Sequence, residues 1–239
     1  MNPLNKLLLA RIPVIGLPAC GGGDTEDRLD VADPVVRFVH ASSIAPNLTL
    51  YRGTVPRSDV TDVPYTFASN DFNVDMGVAD WVVKTARNSL TLGTVSIDPA
   101  RGTKYTIVAL PASDTVGSTY VIVDPYNKAL ASDSTHLRVM NASFNASNIG
   151  PYMNSAGTDI TTAGVNPLIA ATAYKTSGPA SGSYSTDIPG GTYQLKITTA
   201  GTKTILLRGQ LSFASNKDIL LLSVPDSASP GGIKALVKA

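Results

Sequence analysis

His40 and His136 are the only imidazoles the chain can offer for acid–base chemistry near neutral pH. A serine nucleophile served by either would need the sharp G-x-S-x-G turn, and that pattern does not occur. His40 ends an alternating run, VRFVH (36–40), and Asn141 stands at the matching place in a second copy of that run. A position that accepts an amide in place of an imidazole suits a side chain hydrogen-bonded to backbone where a strand bends into a loop. A second candidate is DFNVDMGVAD (71–80), whose Asp71, Asn73, Asp75 and Asp80 are oxygen ligands of the kind calcium takes. The helix–loop–helix calcium pattern puts glycine at its sixth position, where Met76 stands. Phe72, Val74 and Met76 alternate with the polar residues, which is the pattern of a half-buried strand. Arg37 and Arg138 recur with Asp75 and Asp187, either as a cross-strand ion pair in each copy or as solvent-facing charges. Asn47, Asn141 and Asn145 each begin an N-x-S/T sequon. Paired glutamates, Cys/His metal spacing and a phosphate-cradling glycine loop before a helix are all missing. The expectation is no catalytic residue, no metal and no cofactor.

The single cysteine, Cys20, excludes an intramolecular disulfide. It follows MNPLNKLLLARIPVIGLPA, in which Lys6 precedes an apolar run interrupted by Arg11. The stretch resembles a secretory signal ending in a bacterial lipobox, L-P-A-C, with Leu17 and Ala19 placed before the cysteine. That resemblance implies cleavage after residue 19 and lipid attachment at Cys20. The other reading is a short buried strand with an ordinary buried cysteine. The run is too short and broken for a permanent transmembrane helix. Residues 20–34 then form a lipidated cysteine and flexible tether, rich in glycine and acids. Gly21, rather than aspartate, resembles the sorting signal for the outer membrane.

The elements that would position any site come from a duplication. Residues 36–51 lie over 137–152 at an offset of 101, pairing Arg37 with Arg138, Ala41 with Ala142, Ser42 with Ser143 and Tyr51 with Tyr152. FNVDMGVADWVVK (72–84) lies over YSTDIPGGTYQLK (184–196) at 112, pairing Trp81 with Tyr193 and Lys84 with Lys196. KYTIVALP (104–111) lies over DILLLSVP (218–225) at 114. Each copy shows short runs of period two bounded by Gly, Pro, Asn or Asp, and Glu26 is the one glutamate in a chain with 20 Gly and 16 Pro. These features predict an all-β protein of two tandem immunoglobulin-like β-sandwich domains, at 35–126 and 136–239, joined by a linker at 127–135. Trp81 is expected in the core.

RFVHAS (37–42), RVMNAS (138–143) and IPGGTYQLKITTAG (188–201) resemble a family of bacterial envelope domains that begin with an R-V/F-V-H/N-A-S strand. That family is catalogued as a domain of unknown function. The resemblance implies secreted, often lipid-anchored β domains and no activity. A net charge of +1 with no Lys/Arg cluster excludes a nucleic-acid footprint. The expected protein is a non-enzymatic cell-envelope lipoprotein, held at the membrane through Cys20 and acting as a surface binding or structural module. An envelope glycan or protein is the expected partner class. The alternative is a loop-based envelope hydrolase acting on glycans, which would need two carboxylates at a set separation. The copies differ most at 52–71 and 153–183, so ligand contacts are expected there.

Overall fold

The computed structural model describes residues 32–87, 89–111, 117–125, 133–226, 228 and 231–238. Cys20, its leader, most of the tether and residues 127–132 of the expected linker lie outside the described residues. Apart from one 3-10 turn at Ser58–Val60, every regular element described is a strand. The first copy supplies β1 (Val35–His40), β2 (Leu48–Arg52), β3 (Val55–Pro56), β4 (Phe72–Asn73), β5 (Ala79–Thr85), β6 (Thr91–Ile97), β7 (Thr103–Leu110) and β8 (Ser118–Pro125). The second supplies β9 (Ser134–Asn141), β10 (Asn148–Asn154), β11 (Thr172–Ala173), β12 (Thr176–Gly178), β13 (Thr186–Pro189), β14 (Gly191–Thr199), β15 (Ile205–Phe213), β16 (Asp218–Pro225) and β17 (Ile233–Lys238).

Each copy is a sandwich of two sheets. In the first copy the orders are β4-β1-β7-β8 and β3-β2-β5-β6. In the second they are β12-β9-β16-β17, with β13 also on β9, and β11-β10-β14-β15. The opening strand of each copy lies parallel to the penultimate one, β1 to β7 and β9 to β16. Val36, Phe38, Trp81, Val83 and Ile107 fill the first interior, with the Phe72 ring 5.9 Å from that of Trp81. Leu137, Val139, Leu195, Ile197 and Leu221 fill the second.

Hydrogen-bond register corrects part of the expected correspondence between copies. Tyr51 stands opposite Val82 and Tyr152 opposite Lys196, so Val82 answers Lys196 at an offset of 114. The bulges agree, falling at Val83/Lys84 and Ile197/Thr198. Trp81 therefore answers Leu195, not Tyr193, and Lys84 answers Thr198, not Lys196. Likewise Phe72 opposite Val36 and Thr186 opposite Leu137 give 114, so Asp75 and Asp187 are not equivalent. A slip of two residues leaves every side chain on its original face, so hydrophobic alternation cannot report it.

Strands β1 and β7 are buried along their whole length, as are β9 and β16 except for their first residues. A strand buried on both faces needs a cover on each. One face fills its own sandwich, and the other fills a third core shared between the copies. That core pairs equivalent positions: Val39 with Met140, Ala41 with Ala142, Val108 with Leu222, Leu110 with Val224 and, partly covered, Ile122 with Leu236. The same face of each copy is used, so the contact is two-fold in kind, as in an isologous dimer. Two tyrosines clasp it reciprocally. Tyr65 Oη donates to the carbonyl of Pro225, and Tyr174 Oη donates to the carbonyl of Pro111, its equivalent. Each tyrosine precedes a residue in the left-handed region, Thr66 at φ 72° and Lys175 at φ 64°.

Met140→Ala should cost about 2–5 kcal/mol, as truncations of fully buried long side chains do. Hydrogen exchange checks that the loss is shared: the amides of Val108 and Leu110 in the first copy should exchange faster in the variant. Unchanged exchange there would show that the two sandwiches are energetically independent.

Candidate functional site

The residues singled out in the sequence serve mainly as structure. His40 Nε2 donates to the Pro46 carbonyl at 3.1 Å, spanning the bend after β1. Asn141 Nδ2 does the same after β9, donating to the Ala146 carbonyl at 2.7 Å, while its Oδ1 accepts from the Ser143 amide. Asn141 is fully buried, so its sequon has no glycan role. His40 Nδ1 is buried without a partner. Protonation would bury an unpaired N–H there, and burial pushes the ring down to about 4, against a smaller upward pull from the Pro46 carbonyl.

Asp71, Asn73, Asp75 and Asp80 are not gathered around a common point. Asp71 pairs with Lys104 at 2.7 Å, Asp75 reaches Arg52 at 3.5 Å, and Asp80 lies on β5 opposite Ser96. Among the described residues no group of three or more His, Cys, Asp or Glu side chains is placed to hold a metal.

Arg37 and Arg138 do not pair with Asp75 and Asp187. Both are buried at the polar end of the interface between copies. Arg138 Nη2 meets Asp124 of the first copy at 2.9 Å, and the guanidinium also donates to the carbonyls of Pro179, Ala180 and Ser183. Arg37 Nε donates to Thr106 Oγ1 at 2.8 Å. Burial pulls Arg37 below its ordinary pKa, while Asp71, Asp124 and Asp218 pull it back up. Lys104 lies 4.0 Å from Asp218, its own equivalent in the second copy. His136 sits between Asp187, 2.9 Å from Nε2, and Asp218, 3.1 Å from Nδ1. Arg138–Asp124 and Lys104–Asp218 cross between the two sandwiches, whereas His136 is held by aspartates of its own copy.

The most site-like surface is one that sequence reading did not single out. On the outer face of the second copy's β10-β14-β15 sheet, Asn154, Gln194 and Gln210 stand in one cross-strand row. The row beside it, Tyr152–Lys196–Arg208, is partly roofed by the segment after β10. Lys196 Nζ donates to the Thr158 carbonyl, and Lys203 Nζ donates to Tyr152 Oη and to the Val165 carbonyl. Where the roof stops, a cavity of about 260 Å³ opens. Residues 192–194 of β14 and 208–210 of β15 form its floor, and Ala156 contributes a wall. Gln194, which lines the cavity, has its Oε1 buried without a hydrogen-bond partner, and so has Asn154 Oδ1, next in the row but outside the lining. An amide oxygen left so costs on the order of 1–3 kcal/mol. Asn154 and Ala156 belong to the divergent segment 153–183, whereas the glutamines are strand residues. Glutamines facing outward from strands are ordinary, and only the pairing register brings these two together.

With that geometry in view, the chain can be placed among known proteins. Residues 34–152 match a family described as a domain of unknown function (DUF4397). The DUF4397 match covers the first sandwich and runs on through β9 to Tyr152 in β10. No curated protein matches the chain. Solved structures similar to it include CBMbc, a family CBM26 module of Eubacterium rectale Amy13K in complex with maltoheptaose. It shows 11% identity and a TM-score of 0.26, over 86% of this chain and 96% of that one. The Bacillus anthracis TIE protein shows 12% identity and a TM-score of 0.24, over 82% of this chain and 34% of that one. A family 41 carbohydrate-binding module from streptococcal virulence factors, described for alpha-glucan recognition, shows 10% identity and a TM-score of 0.25, over 80% and 94%. These superpositions are loose.

Two predictions follow from the buried polar groups. Asp124→Ala strands the Arg138 guanidinium and should cost about 3 kcal/mol in urea unfolding, the range for breaking a buried pair. For His40 the folded pKa, about 4, lies below the ordinary 6.5. The unfolded chain then binds the proton first, so the stability His40 permits is complete above 6.5 and is lost as pH falls towards 4. His40→Asn should remove that component, about 3 kcal/mol in full. Urea titrations of both proteins between pH 7 and pH 4 check it, and parallel curves would refute it.

Proposed function

We propose that this chain is a non-enzymatic binding module of the bacterial cell envelope, held by lipid on Cys20 and presenting the outer face of its second sandwich. The observation that carries the reading is the pair Gln194 and Gln210 lining an open cavity, with Gln194 Oε1 buried and unpaired and Asn154 continuing the row beyond the lining. A fold that leaves such groups unpaired gains from a ligand that pairs them. No carboxylate is among the cavity's lining residues, so the lining itself supplies neither the acid nor the base of glycoside hydrolysis. His136 and Asp218 are engaged with each other inside the second copy, and His40 is enclosed. The L-P-A-C stretch supports lipid attachment, and residues 21–34 supply the reach from a membrane, with outer-membrane placement favoured by Gly21.

Fractionated cells test both halves. Wild-type protein should sediment with membranes and Cys20→Ser should be soluble. Cys20→Ser protein added back to isolated envelopes should be retained, and Gln210→Arg in that background should reduce retention. Membrane association that survives Cys20→Ser, with Met1 still present by mass spectrometry, would overturn the anchor. Retention indifferent to Gln210→Arg would overturn the binding face.

A further inference from the structure

We infer that the amide row of the second sandwich is a binding site for one ring of a neutral saccharide; the inference rests on the binding face proposed above. An amide carries an acceptor and a donor side by side. Two neighbouring hydroxyls of a sugar ring match that arrangement, one donating and one accepting. Gln194 and Gln210 repeat the arrangement on adjacent strands about 4.8 Å apart and both line the cavity, and Asn154 continues the row on the third strand, outside the lining. Thr192 and Ser212, opposite each other with hydroxyls 2.9 Å apart, border the row on one side. The opposing row holds the two cations, and they are not equivalent. Lys196 is turned onto the Thr158 carbonyl, leaving Arg208 as the one cation lining the cavity.

The other ligand classes fit less well. A phosphate or uronate site would gather several cations, and this one has a single exposed arginine. A peptide recognised by a sheet adds to a free edge through main-chain groups. Here the cavity lies on the face, and the main chain of β14 is already paired to β10 and β15. The volume, about 260 Å³, falls just under the ~300–1,000 Å³ of pockets for drug-sized ligands. One ring therefore enters, and the rest of an oligosaccharide extends over the exposed β15 surface. The first copy cannot duplicate the site. At the offset of 114 its β5–β6 pair presents Asp80 and Ser96 where the second copy has Gln194 and Gln210. The stoichiometry should be one ring site per chain.

The test is calorimetric titration of the full chain carrying Cys20→Ser. The probes are neutral gluco-, manno- and xylo-oligosaccharides of two to six sugars at millimolar concentration, an uncharged Gly-Ala hexapeptide and an oligogalacturonate. At least one neutral oligosaccharide should bind once per chain. Gln194→Ala with Gln210→Ala should weaken it tenfold or more, while Asp80→Ala with Ser96→Ala leaves it unchanged. The glutamine variant should melt no lower than its parent, because it removes an unpaired buried oxygen. If it does melt lower, Gln210→Glu replaces it, keeping the shape while exchanging the neutral amide donor for a charged acceptor. Failure of every neutral oligosaccharide, retention of binding in the glutamine variants, or binding of the hexapeptide or oligogalacturonate instead would each overturn the inference. Envelope retention that still depends on Gln210 would then leave the binding face standing without the sugar.

Discussion

Burial of β1, β7, β9 and β16 on both faces is the constraint on which the other features depend. A sheet pair hidden within one sandwich has one wet face, and its strands alternate. Here the central parallel pairs are apolar on one face for their own sandwich and apolar again on the other, so neither copy can be wetted there without exposing Val39, Leu110, Met140 or Leu222. The third core answers that need with the same positions from both copies. An interface built from like positions meets a difficulty on its axis, where each residue faces its own equivalent. At Lys104 and Asp218 the copies have diverged to opposite charges. Two first copies would set lysine against lysine there, and two second copies aspartate against aspartate, so the contact prefers one of each.

That arrangement explains where the chemistry is not. Histidines and buried charges are the first places to look for catalysis, and among the described residues they are enclosed within one sandwich or used at the seam. His136 between two aspartates and Arg138 on Asp124 would draw attention by their chemistry, yet His136 is buried between strands of its own copy and Arg138 lies where one copy meets the other. What remains outward on the second sandwich is uncharged at its centre, a row of amides whose hydrogen-bonding capacity exceeds what the protein itself supplies.

Much of the architecture was legible from residue order. The repeat, the strand character of VRFVH and LRVMN, and the central strands KYTIVALP and DILLLSVP all followed from period and composition. The interface was half-visible, since unbroken apolar runs announce two buried faces without saying what covers the second. The offset near Trp81 went astray because a two-residue slip preserves the alternation, and matching aromatic to aromatic favoured Tyr193 over Leu195. Tyr65 and Tyr174 lay in the stretches that differ most, yet PYTFAS and AYKTSG share a tyrosine at the same remove from the small residues that meet the opening strand. That weak echo was the available sign of the clasp. Asn154, Gln194 and Gln210 carried no sign at all, because nothing in their spacing reveals which strands lie side by side.

The parallel pairing of β1 with β7 also bears on how the molecule meets a mechanical load. β1 is the first described strand, and six of its residues are matched to β7 from Val35↔Lys104 to His40↔Ala109. Tension arriving along the chain from the N-terminal side runs lengthwise through β1. Its hydrogen bonds to β7 lie across that direction and are strained together, in shear, instead of opening one after another from an end. A strand whose other face is also packed against a second sandwich must, in addition, drag Val39 out of an apolar seam before it slides. The first described strand to feel such a pull is thus held on both of its faces.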